Sequence, residues 1–272
     1  MTTSEPMRPE EPVTRNFTLL FYELNRGERE AEKFVALEAW ALHVGMAQKP
    51  GGTYDKHMSI HTIYRALFKI WRQRRLKLFS DLLKPVQGDC ILDIGGLPGF
   101  WKEARLPGIK INCLNPDKKA VEGYQNQVEN ISMLEGDGCD LPCPDKSYSI
   151  VFSNSVIEHV GDLARQKRFA GELRRVGQRL WVQTPAYEFF IEPHFLAPFF
   201  HWLPVAWRIQ TGRWATLWGW LEKPSPQRVR EMVEEIRLLK KNEFQELFPD
   251  CQILTEKILG ILPKSYIAVR KV

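Results

Sequence analysis

The apolar positions of this chain change their period along its length. Between Glu28 and Ala47, Phe34, Leu37, Ala41 and Val44 recur every three or four residues, as on one buried helical face, and Pro50-Gly51-Gly52 then breaks the pattern. A second helix is predicted from Ile60 to Leu83, with Ile63, Leu67, Ile70 and Trp71 on its apolar side. After residue 86 the pattern alternates. Short apolar runs near 90–94, 110–114, 131–134, 148–153 and 179–184 read as buried strands, with helical segments between them. The clearest of those helices covers 162–176, where Leu163, Phe169, Leu173 and Val176 share a face. A further helix near 227–241 carries Val229, Met232, Val233 and Ile236, and strands near 252–258 and 265–270 follow. Strand and helix in repeated alternation predict an α/β fold with a doubly wound, mostly parallel, seven-stranded sheet.

Residues 1–16 are polar and rich in Pro and Glu, so they have little to bury and are expected to form a disordered tail. Residues 17–85 are then expected to form a helical cap, and 86–272 the ligand-binding domain, with an insertion at about 186–226. The five cysteines show no paired Cys-x-x-Cys spacing, which argues against a disulfide framework or a zinc site and for a reducing, cytoplasmic setting. Neither a secretory leader nor an apolar run of about 18 residues is present, which disfavours export and membrane spanning. His57 and His61 have metal-pair spacing, but Asp55 would lie off their helical face, so no metal is expected. The net charge of +5 permits an anionic partner without demanding one. The basic run Arg72-Gln-Arg-Arg-Leu-Lys77 reads as a solvated helix face, as do Arg165, Lys167, Arg168, Arg174 and Arg175.

The candidate chemistry starts at Cys90-Ile-Leu-Asp-Ile-Gly-Gly-Leu-Pro-Gly-Phe-Trp101, a strand running into one carboxylate and a glycine-rich turn. Gly95, Gly96 and Gly99 let the backbone approach a ligand, while Asp93 would repel a pyrophosphate and suits a ligand carrying a cationic amine. Leu97 stands where a second turn glycine is expected. The spacing Asp-x-Gly-x-x-x-Gly resembles that of the class I S-adenosylmethionine-dependent methyltransferases. Two later stretches extend the resemblance: Glu135-Gly-Asp-Gly-Cys-Asp-Leu-Pro142, and Tyr148-Ser-Ile-Val-Phe-Ser-Asn-Ser-Val-Ile-Glu-His-Val160. The second is similar to a Leu-Glu-His-Val segment of small-molecule members, including the ubiquinone-pathway O-methyltransferases.

The resemblance implies a Rossmann-like methyltransferase fold with S-adenosylmethionine as cofactor. It makes Asp93, Gly95, Gly96 and Gly99 the cofactor turn, and Asn115, where an acid is usual, the ribose contact. It places Asp137 and Gly138 at the adenine, and Ser153 and Asn154 at the methionine portion. His159 could then accept the acceptor's proton, with Glu158 beside it, although the same pair could simply orient the loop. Tyr187, Glu192 and His194, in a segment similar to an insertion of some bacterial members, are candidates to face the acceptor.

Five tryptophans, Trp202, Trp207, Trp214, Trp218 and Trp220, crowd into 20 residues with Arg208 and Arg213 between them. They could form a lid over a hydrophobic acceptor, a peripheral membrane contact through residues 195–220, or core packing. The expected acceptor is a hydrophobic or lipid-linked small molecule, with a sugar or natural-product hydroxyl as an alternative. Nucleic acid is disfavoured, because Ser153-Asn-Ser-Val replaces the Asn-Pro-Pro-aromatic turn of many nucleic-acid methyltransferases. A non-catalytic binding protein on the same fold, favoured by Leu97 and Asn115, and a nicotinamide-dependent oxidoreductase are the competing readings.

Overall fold

The computed structural model describes residues 60–104, 106–124 and 129–271. The predicted tail, the helix at 28–47 and His57 lie outside them. Strand β1 (Cys90–Ile94) sits between β2 (Lys110–Asn115) and β4 (Tyr148–Asn154) and pairs in parallel with both. Beyond β2 lies β3 (Ile131–Glu135), and beyond β4 lies β5 (Gly177–Pro185), each parallel to its neighbour. A hairpin of β6 (Gln252–Ile258) and β7 (Leu262–Arg270) completes the sheet, its second strand antiparallel to β5. Seven strands thus follow the order β3-β2-β1-β4-β5-β7-β6. Strand order reverses between β1 and β4, and the crevice at their carboxyl ends is where such sheets bind ligands.

Alternate residues of each strand face opposite layers. On one face Leu92, Ile94, Val151, Leu180 and Val182 pack with Phe169, Leu173 and Val176 of helix α4 (Leu163–Val176). On the other, Ile91, Phe152 and Trp181 meet Phe79 and Leu83 of α1 (Ile60–Leu83), Trp101 of α2 (Pro98–Ala104) and Tyr124 of α3 (Lys118–Tyr124). The Phe79 ring stands edge-on to Trp101, Phe152 and Trp181, with centroids 5.8, 5.3 and 5.7 Å away. Helix α4 starts where Asp162 accepts the Arg165 N–H at 2.8 Å, a side-chain N-cap.

The insertion after β5 has its own apolar centre. It begins with a small hairpin, Ile191–Glu192 against Ala197–Pro198, followed by α5 (Val205–Ala215), α6 (Leu217–Glu222) and α7 (Pro226–Glu235). Phe195, Phe200, Trp218, Val229 and Met232 pack together inside it. Of the five clustered tryptophans only Trp218 is core; Trp202, Trp207, Trp214 and Trp220 are 44–69% exposed. The helix predicted over 227–241 is also two elements. It ends at Glu235, and α8 (Lys241–Leu247) restarts after an extended segment. There the Arg237 N–H donates to the Glu158 carbonyl at 2.8 Å, and Leu239 bridges Ala186, so contacts with the exit of β4 and β5 replace helical hydrogen bonds.

Candidate functional site

The turn after β1 is built around Asp93. Gly95 has φ +76°, and its N–H donates to the Leu114 carbonyl at 2.8 Å. A Cβ on Gly96 would overlap the Asp93 carboxylate, so the backbone lies directly over that side chain. Asp93 is only 2% exposed, and its Oδ2 accepts the Trp101 indole N–H at 2.6 Å. Sequence reasoning expects this carboxylate to lie open to a cationic ligand; in the structure it is sealed beneath the turn. The cause is α2, whose second turn swings Trp101 back onto it. Leu97 also packs toward the aromatic layer that includes Trp101.

Burial pushes the Asp93 carboxyl up to about 8, with the indole hydrogen bond opposing the rise. The folded chain therefore holds a proton there that the unfolded chain releases near pH 4. Asp93's contribution to stability is greatest at low pH and falls as pH rises from about 4 through about 8. Asp93→Asn should remove this decline. Urea midpoints compared between about pH 5 and pH 9 test it, and parallel profiles for the two proteins would reject it.

The other strand ends contribute in different ways. Asn115 is buried, and its Oδ1 accepts the Asp117 N–H at 2.9 Å, which leaves its amide hydrogens as the donors for a ligand. Asp137 accepts the Cys139 N–H at 2.9 Å and an Arg165 hydrogen bond at 3.0 Å; burial opposes, but these bonds hold its carboxyl below the usual range. At Gly138 a Cβ would come within 2.7 Å of the Phe169 ring, so glycine keeps this loop against α4. Gly99 lies in the first turn of α2.

Ser153 and Asn154, adjacent on β4, point to opposite faces of the sheet. Ser153 is fully buried in register with Ile94, and its Oγ has no hydrogen-bond partner among the described residues. An orphaned hydroxyl of this kind asks for a ligand or water. Asn154 instead accepts a 3.3 Å hydrogen bond from Arg75. Arg75 is the exception in its basic run: its guanidinium is buried, bonded to both oxygens of Glu256 at 3.0 and 2.9 Å and to Gln183 at 3.0 Å. Asn154 thus belongs to a polar network that ties α1 to the sheet.

Past β4, Glu158 is fully buried; its Oε2 accepts from Thr184 at 2.9 Å and its Oε1 has no hydrogen-bond partner among the described residues. The next residue, His159, meets Glu235 through Nδ1 at 3.1 Å and His194 through Nε2, also at 3.1 Å. His194 in turn meets Glu192 through its Nδ1 at 2.7 Å. Burial opposes protonation of His194, but Glu192 and the surrounding carboxylates raise its pKa above the usual value. The structure therefore brings Glu158, His159, Glu192 and His194 together, although His194 lies 35 residues beyond His159.

Tyr187 and Glu192 share a cavity of about 290 Å³ with Phe195, His201, Arg208 and Leu238. The buried Arg208 Nε has no hydrogen-bond partner among the described residues. Sequence reasoning missed Trp101, Arg75, Glu235 and Arg208. Trp101 returns to Asp93 from eight residues on, Arg75 and Glu235 reach the site through contacts across the fold, and Arg208 lines the cavity.

A methyltransferase-domain family model matches residues 92–179, from β1 into β5. Two Mycobacterium tuberculosis proteins, of strains CDC 1551 / Oshkosh and H37Rv, are described as "probable S-adenosylmethionine-dependent methyltransferase". Each is 24% identical to this chain over 116 residues, which cover 42% of this chain and 42% of the relative. The match thus spans less than half the length of those relatives. Among solved structures, the magnesium protoporphyrin IX methyltransferase of Synechocystis PCC 6803, with bound S-adenosylhomocysteine, superposes with a TM-score of 0.51. That match has 11% identity and covers 94% of this chain and all of the other, a likeness of fold. Its central strands, residues 92–179, thus match the methyltransferase-domain family, and its sheet is wound as in that solved methyltransferase.

Proposed function

We propose that this chain transfers a methyl group from S-adenosylmethionine to oxygen or nitrogen of a hydrophobic or lipid-linked small molecule. The observation that carries this reading is the orphaned Ser153 hydroxyl beside the glycine turn, in the crevice between β1 and β4. When bound, the cofactor supplies a methyl group already activated by the sulfonium charge. Gly95, Gly96 and Gly99 keep the turn low enough for its approach, and Asn115, Asp137 and Gly138 flank the nucleoside side of the crevice. Asp93 acts on the ligand from beneath the turn, through the shape it gives the glycines.

The acceptor is assigned to the cavity beside Tyr187 and Glu192. Its aromatic wall suits an apolar body, and Arg208 suits an anionic group on the same molecule. His159 and Glu158, with His194 behind them, are the residues assigned to the acceptor's proton, which must leave as the methyl group arrives. The remaining contribution is alignment and exclusion of water.

Among the described residues no helix is long and apolar enough to cross a membrane. Exposed Phe199, Trp207, Trp214 and Trp220 support peripheral contact with a lipid surface, which would bring a lipid-linked acceptor to the cavity. Calorimetry with S-adenosylhomocysteine should give saturable binding, and its absence at millimolar ligand would reject the enzyme reading. It would favour a non-catalytic binding protein, the reading to which the sealed Asp93 lends support. Anionic vesicles should retain the chain, and Trp214→Ser with Trp220→Ser should release it; equal retention would remove the membrane contact.

A further inference from the structure

We propose that His159, His194 and Glu158 form a binding site for one divalent transition-metal ion, with Glu235 and Glu192 holding the two imidazoles in place. Each Nδ1 faces a carboxylate, Glu235 for His159 and Glu192 for His194, and a carboxylate only accepts hydrogen bonds. Each Nδ1 therefore carries its proton, and each Nε2 is the ring atom turned toward the other histidine. The two Nε2 atoms meet at 3.1 Å, a contact that a proton closes when one ring is an imidazolium and that a metal ion can take over when both rings are neutral.

The spacing suits a metal ion. Two nitrogens bound to one zinc ion at about 2.0–2.1 Å stand roughly 2.9 Å apart at a right angle and roughly 3.4 Å apart at the tetrahedral angle. The observed 3.1 Å lies between. A third ligand is at hand: one donor atom each from Glu158, His159 and His194 lie within 4.8 Å of one another. Glu158 is fully buried, with Oε1 lacking a hydrogen-bond partner among the described residues, a costly state for a carboxylate oxygen. The histidine–carboxylate pairs match the outer shell that orients imidazole ligands and raises their basicity. Two nitrogens and one carboxylate oxygen favour zinc, manganese, iron or cobalt over magnesium or calcium.

The ion would join two separate parts of the chain. His159 follows β4, whereas His194 belongs to the insertion's first hairpin, and Glu192 lines the acceptor cavity. A metal here pins the insertion to the sheet just behind that cavity. Its use there is to polarise an acceptor oxygen in place of direct proton transfer to His159; that use rests on the methyl-transfer reading, whereas the binding site does not.

The test is a titration of the chelator-treated full chain with Co²⁺, followed by visible absorption and by displacement with Zn²⁺. One equivalent should bind, and Zn²⁺ should raise the unfolding temperature. His194→Gln and Glu158→Gln should each weaken binding by about 100-fold or more, and Glu235→Gln by about 10–100-fold. Gly96→Ala, which alters only the cofactor turn, should bind cobalt normally, so failure of the metal site and failure of the cofactor reading are told apart. Circular dichroism checks folding, and if one glutamine variant does not fold the other carries the test. No spectral change at millimolar Co²⁺, or binding unaltered in the glutamine variants, would overturn the proposal.

Discussion

Gly96→Ala should lower affinity for S-adenosylhomocysteine by about 100-fold or more, because even a displacement of about 1 Å in a positioning element carries that scale of penalty. The new methyl group would overlap the Asp93 carboxylate, which cannot retreat. Asp93 is pinned by the Trp101 indole at 2.6 Å, and Trp101 is itself packed against Phe79 and Phe152. The turn must lift instead, and overpacking of this kind also costs about 1–3 kcal/mol of stability. Gly171→Ala is the matched control. Gly171 lies in α4 with nothing within 4 Å of an added Cβ, so alanine should be neutral or stabilise by up to about 1 kcal/mol. Calorimetry and urea unfolding on both variants read the two effects separately. Unchanged affinity in Gly96→Ala would mean that the cofactor does not sit on this turn.

The second large effect is expected at the buried cation of α1. Arg75→Ala should destabilise the chain by about 3–5 kcal/mol, the usual cost of removing one partner from a buried ion pair. Glu256 would be left 10% exposed at its side chain, and Gln183 would lose a 3.0 Å hydrogen bond. Burial alone would raise the Glu256 pKa, but Arg75 and Ser265 hold it below the usual value. Stability from this carboxylate is therefore present above about pH 4.5 and lost as pH falls through its lower folded value. Lys264, pushed down to about 7 by burial and by Arg75, lies 3.8 Å from Glu256 and can take up part of the charge in the variant. Arg75→Lys should recover only part of the loss, because an ammonium cannot make the forked contact. A cost below about 1 kcal/mol would show that the network behaves like a surface pair.

Much of the sheet was legible from the chain because its strands are short apolar runs separated by helical repeats. The same uniformity hid the direction of single side chains. Both faces of a parallel strand are apolar, so Ile91-Leu-Asp-Ile94 does not say which layer Asp93 enters. Nor does it say that Trp101 will reach back to cover it. At Ser153-Asn154 the residue types suggested one shared role, whereas strand alternation sends them to opposite faces. His159 and His194 were each visible as candidates. Their contact was not, because it depends on the path of the insertion and on a helix break after Glu235. That break lies where Ile236, Leu238 and Leu239 are all buried, a pattern no single helical face can satisfy.

The position of β7 has a consequence for biosynthesis. It fills the slot between β5 and β6, yet it emerges from the ribosome about 80 residues after β5 is made. Throughout that interval Leu180, Trp181 and Val182, all fully buried in the finished sheet, belong to an open edge able to pair with any passing strand. A nascent chain paused within the insertion should therefore be a client for holding chaperones, and release should follow delivery of Tyr266–Val269 to that edge.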